Sequence, residues 1–285
     1  MPPYLIALLL TLLTFTPTRL AAAPTDSLLI GTRHHISSST LGETREYWVS
    51  LPTRPASATD SLTVVYLLDG DSFFETVTGC LRLFSGSKVS SLSSCVVVAL
   101  LNTDRTRDFT PTASAAMRDG TTPPGRQPEG GGAENFRRFL VEELRPAVER
   151  QLPPVKQRIL MGHSYAALFT LHALLASPQA FDAYIAADPS LWWDRGQILK
   201  AMSSATSQTD FSGRQLYMAF GTQPRPDVSL IQFSLVDSAA ALLPALEAAR
   251  LNVTLKRFPE ENHGTIAIPA FYDGLKTLFS ARRKK

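Results

Sequence analysis

The chain alternates short runs of β-branched and other apolar residues with longer stretches in which apolar positions recur every three or four residues. Strand candidates fall at 45–50, 63–68, 95–101, 157–161, 183–187, 215–220 and 253–258; those at 63–68, 95–101, 183–187 and 215–220 are almost continuously apolar, as strands buried on both faces must be. A weaker leading strand falls near 28–36. Helical spacing occupies 72–84, 134–151, 165–176, 196–203, 230–250 and 269–280, so a helix follows a strand repeatedly. That rhythm predicts an α/β fold with a mostly parallel central sheet and helices on both faces. Residues 103–133 interrupt it with proline, glycine and arginine, too long a stretch for an ordinary connection, and read as a substrate-side loop. No internal repeat appears, and one domain over 24–285 accommodates the pattern.

Composition narrows the class. With 44% hydrophobic, 9% aromatic and 19% charged residues, the 285-residue chain can bury a sizeable core and does not read as disordered. The net charge of +3 is small, and the basic run is confined to the tail Arg282, Arg283, Lys284 and Lys285, which speaks against nucleic acid as a partner. Residues 4–15 are apolar, end before Pro17 and are followed by Ala21, Ala22 and Ala23. A bilayer span takes about 20 apolar residues, so residues 1–23 read as a signal peptide rather than a stable membrane anchor, and the mature chain is expected to be secreted or periplasmic. Cys80 and Cys95 could bridge in such a compartment or remain buried thiols. Two cysteines are too few for a disulfide scaffold or a four-thiolate zinc site.

The chemistry concentrates around Gly162-His163-Ser164-Tyr165-Ala166, a sharp turn between the buried run 157–161 and a helix whose Leu168, Leu171 and Leu175 share a face. This is the context of a nucleophile elbow, in which strain lifts the serine hydroxyl above the sheet. Ala166 stands where such a turn usually carries its last glycine. A serine hydroxyl needs a base at neutral pH, and His263, in the loop after the last strand, has the right place among the five histidines. An acid is expected after the strand before the last, which makes Asp227 the first candidate. Asp227 could equally cap the next helix; Glu260 and Glu261 are alternatives, and a serine–histidine pair without an acid is a further one. The amides of Tyr165 and Asp71 are the expected oxyanion donors, Gly70 permitting the tight turn before the second. The spacing after Asp69 and Asp71 does not continue as a calcium loop, and Gly130-Gly131-Gly132 lacks the lysine of a phosphate loop. Neither a metal nor a cofactor is expected.

Five segments, in order, resemble the esterase branch of the α/β-hydrolases that includes siderophore esterases of the enterobactin and salmochelin type. They are Val65-Tyr-Leu-Leu-Asp-Gly-Asp71, Asn102-Thr-Asp-Arg-Thr-Arg-Asp108, Met161-Gly-His-Ser-Tyr165, Phe181-Asp-Ala-Tyr-Ile-Ala-Ala-Asp-Pro-Ser-Leu-Trp-Trp-Asp194 and Glu261-Asn-His-Gly264. The resemblance implies an α/β-hydrolase fold, with Ser164 and His263 catalytic, and implies that the pair can act without an acid. Thr222 and Gln223 stand where such proteins often carry a glutamate. Arg105 and Arg107, at the carboxyl end of a central strand, are expected to meet an anionic or catecholate group, or else to pair with Asp104 and Asp108. Trp192 and Trp193 are expected to stack on an aromatic acyl group, or else to seal the core. The reading is an exported hydrolase of small-molecule carboxylic esters, such as siderophore lactones. Alternatives are a feruloyl or acetyl esterase, an acyltransferase, or a silent binding module; the presence of both Ser164 and His263 speaks against the last.

Overall fold

A computed structural model describes residues 29–52, 62–86, 94–223 and 230–280. Strands β1 (Thr32–Ser38) and β2 (Glu43–Ser50) form a hairpin, and β3 (Leu62–Leu67), β4 (Cys95–Leu100), β7 (Val155–His163), β8 (Ala183–Ala187), β9 (Gln215–Gly221) and β10 (Asn252–Phe258) complete an eight-stranded sheet. Its order is β1-β2-β4-β3-β7-β8-β9-β10, antiparallel where β2 meets β1 and β4 and parallel from β4 onward. Every residue of β3, β4 and β8 is buried, which is why these strands read as unbroken apolar runs.

Alternate strand residues feed two cores. Val65, Leu67, Ile159, Met161 and Ile185 pack beneath α1 (Gly70–Gly86) and α9 (Ala267–Ser280). Val64, Tyr66, Leu160 and Tyr184 face the helices α3 (Ala133–Arg138), α5 (Tyr165–Ala176) and α6 (Gln197–Ala205). Helix α3 continues through a π-helical stretch, Phe139–Leu144, into α4 (Arg145–Glu149). The widened turn precedes Pro146, which has no N–H and whose ring crowds the preceding turn. The helix expected over 230–250 is two helices, α7 (Leu230–Ala241) and α8 (Leu243–Ala248), because Pro244 opens the second. The expected loop 103–133 contains α2 (Arg105–Phe109) and a two-stranded ribbon of β5 (Ala113–Ser114) and β6 (Glu129–Gly130). No disulfide joins Cys80, half-buried in α1, to Cys95 at the start of β4.

Candidate active site

Strand β7 delivers Ser164 at φ 61°, ψ −118°, a conformation that L-residues rarely adopt, immediately before α5. Its amide bonds the Ala187 carbonyl at 3.0 Å and its own carbonyl receives Leu168 at 3.0 Å, so strand and helix hold the turn from both sides. A side chain at Gly162 would sit 2.6 Å from the backbone of Ala166 and 2.7 Å from its methyl. The bare glycine before Ser164 therefore makes room for the alanine after it, and Ala166 leaves the elbow intact.

The loop between β10 and α9 brings His263 onto this serine. Nε2 of His263 lies 3.0 Å from Oγ of Ser164, and Nδ1 lies 2.7 Å from Oδ2 of Asp188. Asp188 follows β8 at φ 46°, with its amide on the Ala219 carbonyl at 2.7 Å and its side chain only 2% exposed. Its other oxygen, Oδ1, is buried and has no hydrogen-bond partner among the described residues. Two hydroxyls meet at the serine: Oγ of Ser190 is 3.2 Å from Oγ of Ser164.

Asp188 occupies the position for which Asp227, Glu260 and Glu261 were the expected candidates. Asp227 lies outside the described residues. Among the described residues, the hydrogen bonds of the His263 ring go to Ser164 and Asp188, not to Glu260 or Glu261. The loop after Phe220 has a different task. A side chain at Gly221 would come within 2.8 Å of the Glu261 carbonyl, and the amide of Gln223 bonds that carbonyl at 2.9 Å. Thus the end of β9 braces the turn carrying His263. The signal for Asp188 was an acid directly after a fully buried central strand, where ligands of such sheets collect.

His163 supports the His263 loop from below. Its Nε2 is 2.9 Å from the His263 carbonyl, and since a carbonyl only accepts, that nitrogen carries the proton. Burial, reinforced by the neighbouring His263 4.8 Å away between ring centroids, lowers the His163 pKa to about 4. The ring stays neutral at ordinary pH and holds the backbone of the loop that carries His263.

On the other side, Asp69, two residues past β3, sits at φ 52°, and its carbonyl receives the amides of Ser72 and Phe73 at 3.0 and 3.2 Å. The first amides of a helix have no intrahelical acceptor, which leaves those of Gly70 and Asp71 at the start of α1 and Tyr165 at the start of α5 available as donors. Because β3 and β7 are neighbours, the two helix starts lie side by side. Asn102 bonds both Asp69 and Asp71, at 2.9 and 3.0 Å.

Both arginines pair with aspartates. Arg105 makes a two-pronged pair with the buried Asp69, at 2.7 and 2.9 Å, and its Nη2 also bonds the His163 carbonyl at 3.1 Å. It ties the β3 loop to the elbow and does not line the adjacent cavity. Arg107 turns outward to Asp108 and Glu43, each at 2.7 Å, because Asp108 is already anchored inside by Arg45 at 2.6 Å. The expected alternative, an arginine–aspartate pairing, holds for Arg107; Arg105 pairs with Asp69 rather than Asp104.

A cavity of about 510 Å³ opens beside the histidine, lined by Arg118, Arg126, Tyr165, Trp192, Trp193 and His263 among others. The expected tryptophans are there. Arg118 lies 5.3 Å from the centre of the Trp192 ring, and Arg126 pairs with Glu129 at 2.6 Å. Trp193 is fixed by its indole N–H on the Thr112 carbonyl at 2.9 Å. The cationic groups of the wall thus come from the irregular part of 103–133 rather than from its first turn.

The parallel sheet, the strained serine at the end of β7 and the histidine after the last strand define an α/β-hydrolase fold. Residues 38–225, more than half of the chain, match the family model described as "Putative esterase". The chain is 30% identical to the siderophore enterobactin esterase of Emericella nidulans over 76% of its own length and 82% of that protein's. It is 36% identical to the ferri-bacillibactin esterase BesA of Bacillus subtilis over 61% of its own length, a match spanning 63% of that protein. Among solved structures, an IroE-like serine hydrolase from Shewanella oneidensis is 32% identical and superposes with a TM-score of 0.79 over 88% of this chain and 80% of that one. The chain belongs to this esterase family, in its siderophore-esterase-like branch, and is a carboxylic-ester hydrolase.

Proposed function

We propose that the protein is an exported serine esterase that opens siderophore esters, catecholate lactones above all, through an acyl-enzyme on Ser164. The observation that carries the mechanism is the unbroken series Ser164 Oγ, His263 Nε2, His263 Nδ1, Asp188 Oδ2, with contacts of 3.0 and 2.7 Å. Asp188 accepts the Nδ1 proton, which leaves a lone pair on Nε2 facing the serine. Ser164 attacks the ester carbonyl as its proton passes to Nε2. The oxyanion forms against the amides of Tyr165 and Asp71, two helix starts whose dipoles favour negative charge. Collapse expels the alcohol with the proton from His263. Water, deprotonated by the same imidazole, then releases the acid and restores Ser164.

The substrate class draws on the relatives' names and on the cavity. Trp192, Trp193 and Tyr165 offer ring faces, and Arg118 sets a cation against one of them, a wall suited to an anionic aromatic acyl group. Export rests on the apolar run and small residues within 1–23, which lie outside the described residues. Among the described residues, no helix is long and apolar enough to cross a membrane.

The test is steady-state hydrolysis of apo and ferric tri-catecholate lactone beside p-nitrophenyl butyrate and a feruloyl ester, with Ser164→Ala and His263→Ala as controls. The expected result is a kcat/KM for the lactone at least tenfold above the others, abolished in both variants. Preference for the feruloyl ester would overturn the substrate, and activity surviving in both variants would overturn the mechanism.

A further inference from the structure

The segment Asp188-Pro189-Ser190 reaches both ends of the catalytic series. Asp188 meets the far side of His263, while two residues later Ser190, 1% exposed, presents its hydroxyl to Ser164 at 3.2 Å. The amide of Ser190 also bonds the Ser164 carbonyl at 3.2 Å, so the two serines are joined through side chain and backbone. Burial removes water as a competing partner for the Ser190 hydroxyl.

Proton bookkeeping fixes the direction of the bond. Nδ1 of His263 donates to Asp188, so Nε2 is an acceptor and takes the single proton of Ser164. Ser164 Oγ then has only lone pairs to offer Ser190, and Ser190 is the donor. We propose that Ser190 is a catalytic residue: its O–H donates to the nucleophilic oxygen and steadies the charge that oxygen carries during proton transfer. This rests on Ser164 being the nucleophile. In acylation, the bond from Ser164 Oγ to the carbonyl carbon forms as the proton goes to His263. In deacylation the same bond breaks, and Ser164 Oγ regains a proton from His263. Ser190 stays on that oxygen throughout and gives up no proton. It lowers both barriers, and it leaves substrate affinity alone because it is buried behind the nucleophilic oxygen it touches.

The experiment compares Ser190→Ala with wild type for the rate of labelling by a fluorophosphonate, the burst and steady-state phases with p-nitrophenyl butyrate, and the pH profile. A hydrogen bond to a charge-bearing atom corresponds to about a tenfold to hundredfold effect. The expected result is a fall of that size in labelling rate and kcat, with KM, the pH midpoint and the thermal midpoint unchanged and one label still at Ser164. Ser190→Cys, which keeps a weak donor, is expected to fall between the two. A wild type labelled at Ser164 with Ser190→Ala labelled within twofold of its rate, or with Ser190→Cys labelled no faster than Ser190→Ala, would overturn the proposal alone. A wild type that takes no label would overturn the nucleophile assignment, and this proposal with it.

Discussion

Oδ2 of Asp188 lies 2.7 Å from Nδ1 of His263, and no described group bonds its other oxygen, Oδ1, which is buried. The carboxylate is therefore committed to the imidazole. Asp188→Asn keeps the shape but offers the wrong group to Nδ1, and kcat should fall by roughly four orders of magnitude. Because Asp188 already partners Nδ1 of His263, Asp227→Ala, Glu260→Gln and Glu261→Gln should each stay within about twofold of wild type. Steady-state kinetics on p-nitrophenyl butyrate checks all four.

Arg105 joins Asp69 to the His163 carbonyl, and so holds the loop of one proposed oxyanion donor against the turn of the other. Lysine cannot reproduce its fork. Arg105→Lys and Asp69→Asn should each lower kcat by about tenfold or more with little change in KM, and the double variant should lose less than the product of the two. A double-mutant cycle in kcat measures that coupling.

His163 ties stability to pH. Its pKa is about 4 in the folded protein against 6.5 unfolded, so the unfolded chain binds the extra proton between those values. The contribution is intact above 6.5, is lost as pH falls toward about 4 and changes no further below it, worth at most about 3 kcal/mol. Thermal unfolding from pH 7 to pH 4 should show a steeper loss for wild type than for His163→Gln.

The elbow has a steric signature. Gly162→Ala drives a methyl to within 2.6 Å of the Ala166 backbone, and should cost about 1–3 kcal/mol together with most of the activity. Ala166→Gly should cost no more than about 1 kcal/mol and keep the enzyme working. Denaturant unfolding and kinetics on the two variants make the comparison.

The proposed substrate class rests in part on Arg118, whose guanidinium stands over the Trp192 ring in the cavity wall. Arg118→Gln should raise KM for a catecholate lactone about tenfold, and leave p-nitrophenyl butyrate unaffected since that ester brings no anionic ring.

The sheet was legible because parallel strands buried on both faces leave continuous apolar runs, as in β3, β4 and β8. Ser164 and His263 were legible for a related reason, since each stands in a short local pattern whose geometry depends on near neighbours. Asp188 was not. Its pairing with His263 joins residues 75 apart in the chain, and the loop that seemed to owe an acid uses Gly221 for close approach instead. Arg105 and Arg107 stood at the right strand end, but spacing alone does not say which carboxylate an arginine will face. Arg118 and Arg126, which do line the cavity, lie in an irregular stretch with no periodicity to read.

The most direct test of the central claim is the site and rate of covalent labelling by a fluorophosphonate, read by intact mass and peptide mapping on wild type, Ser164→Ala, His263→Ala and Asp188→Asn. One adduct at Ser164 in wild type, none there in Ser164→Ala, and labelling slowed by orders of magnitude in the other two is the predicted result. An adduct on another residue, or undiminished ester hydrolysis by Ser164→Ala, would contradict it.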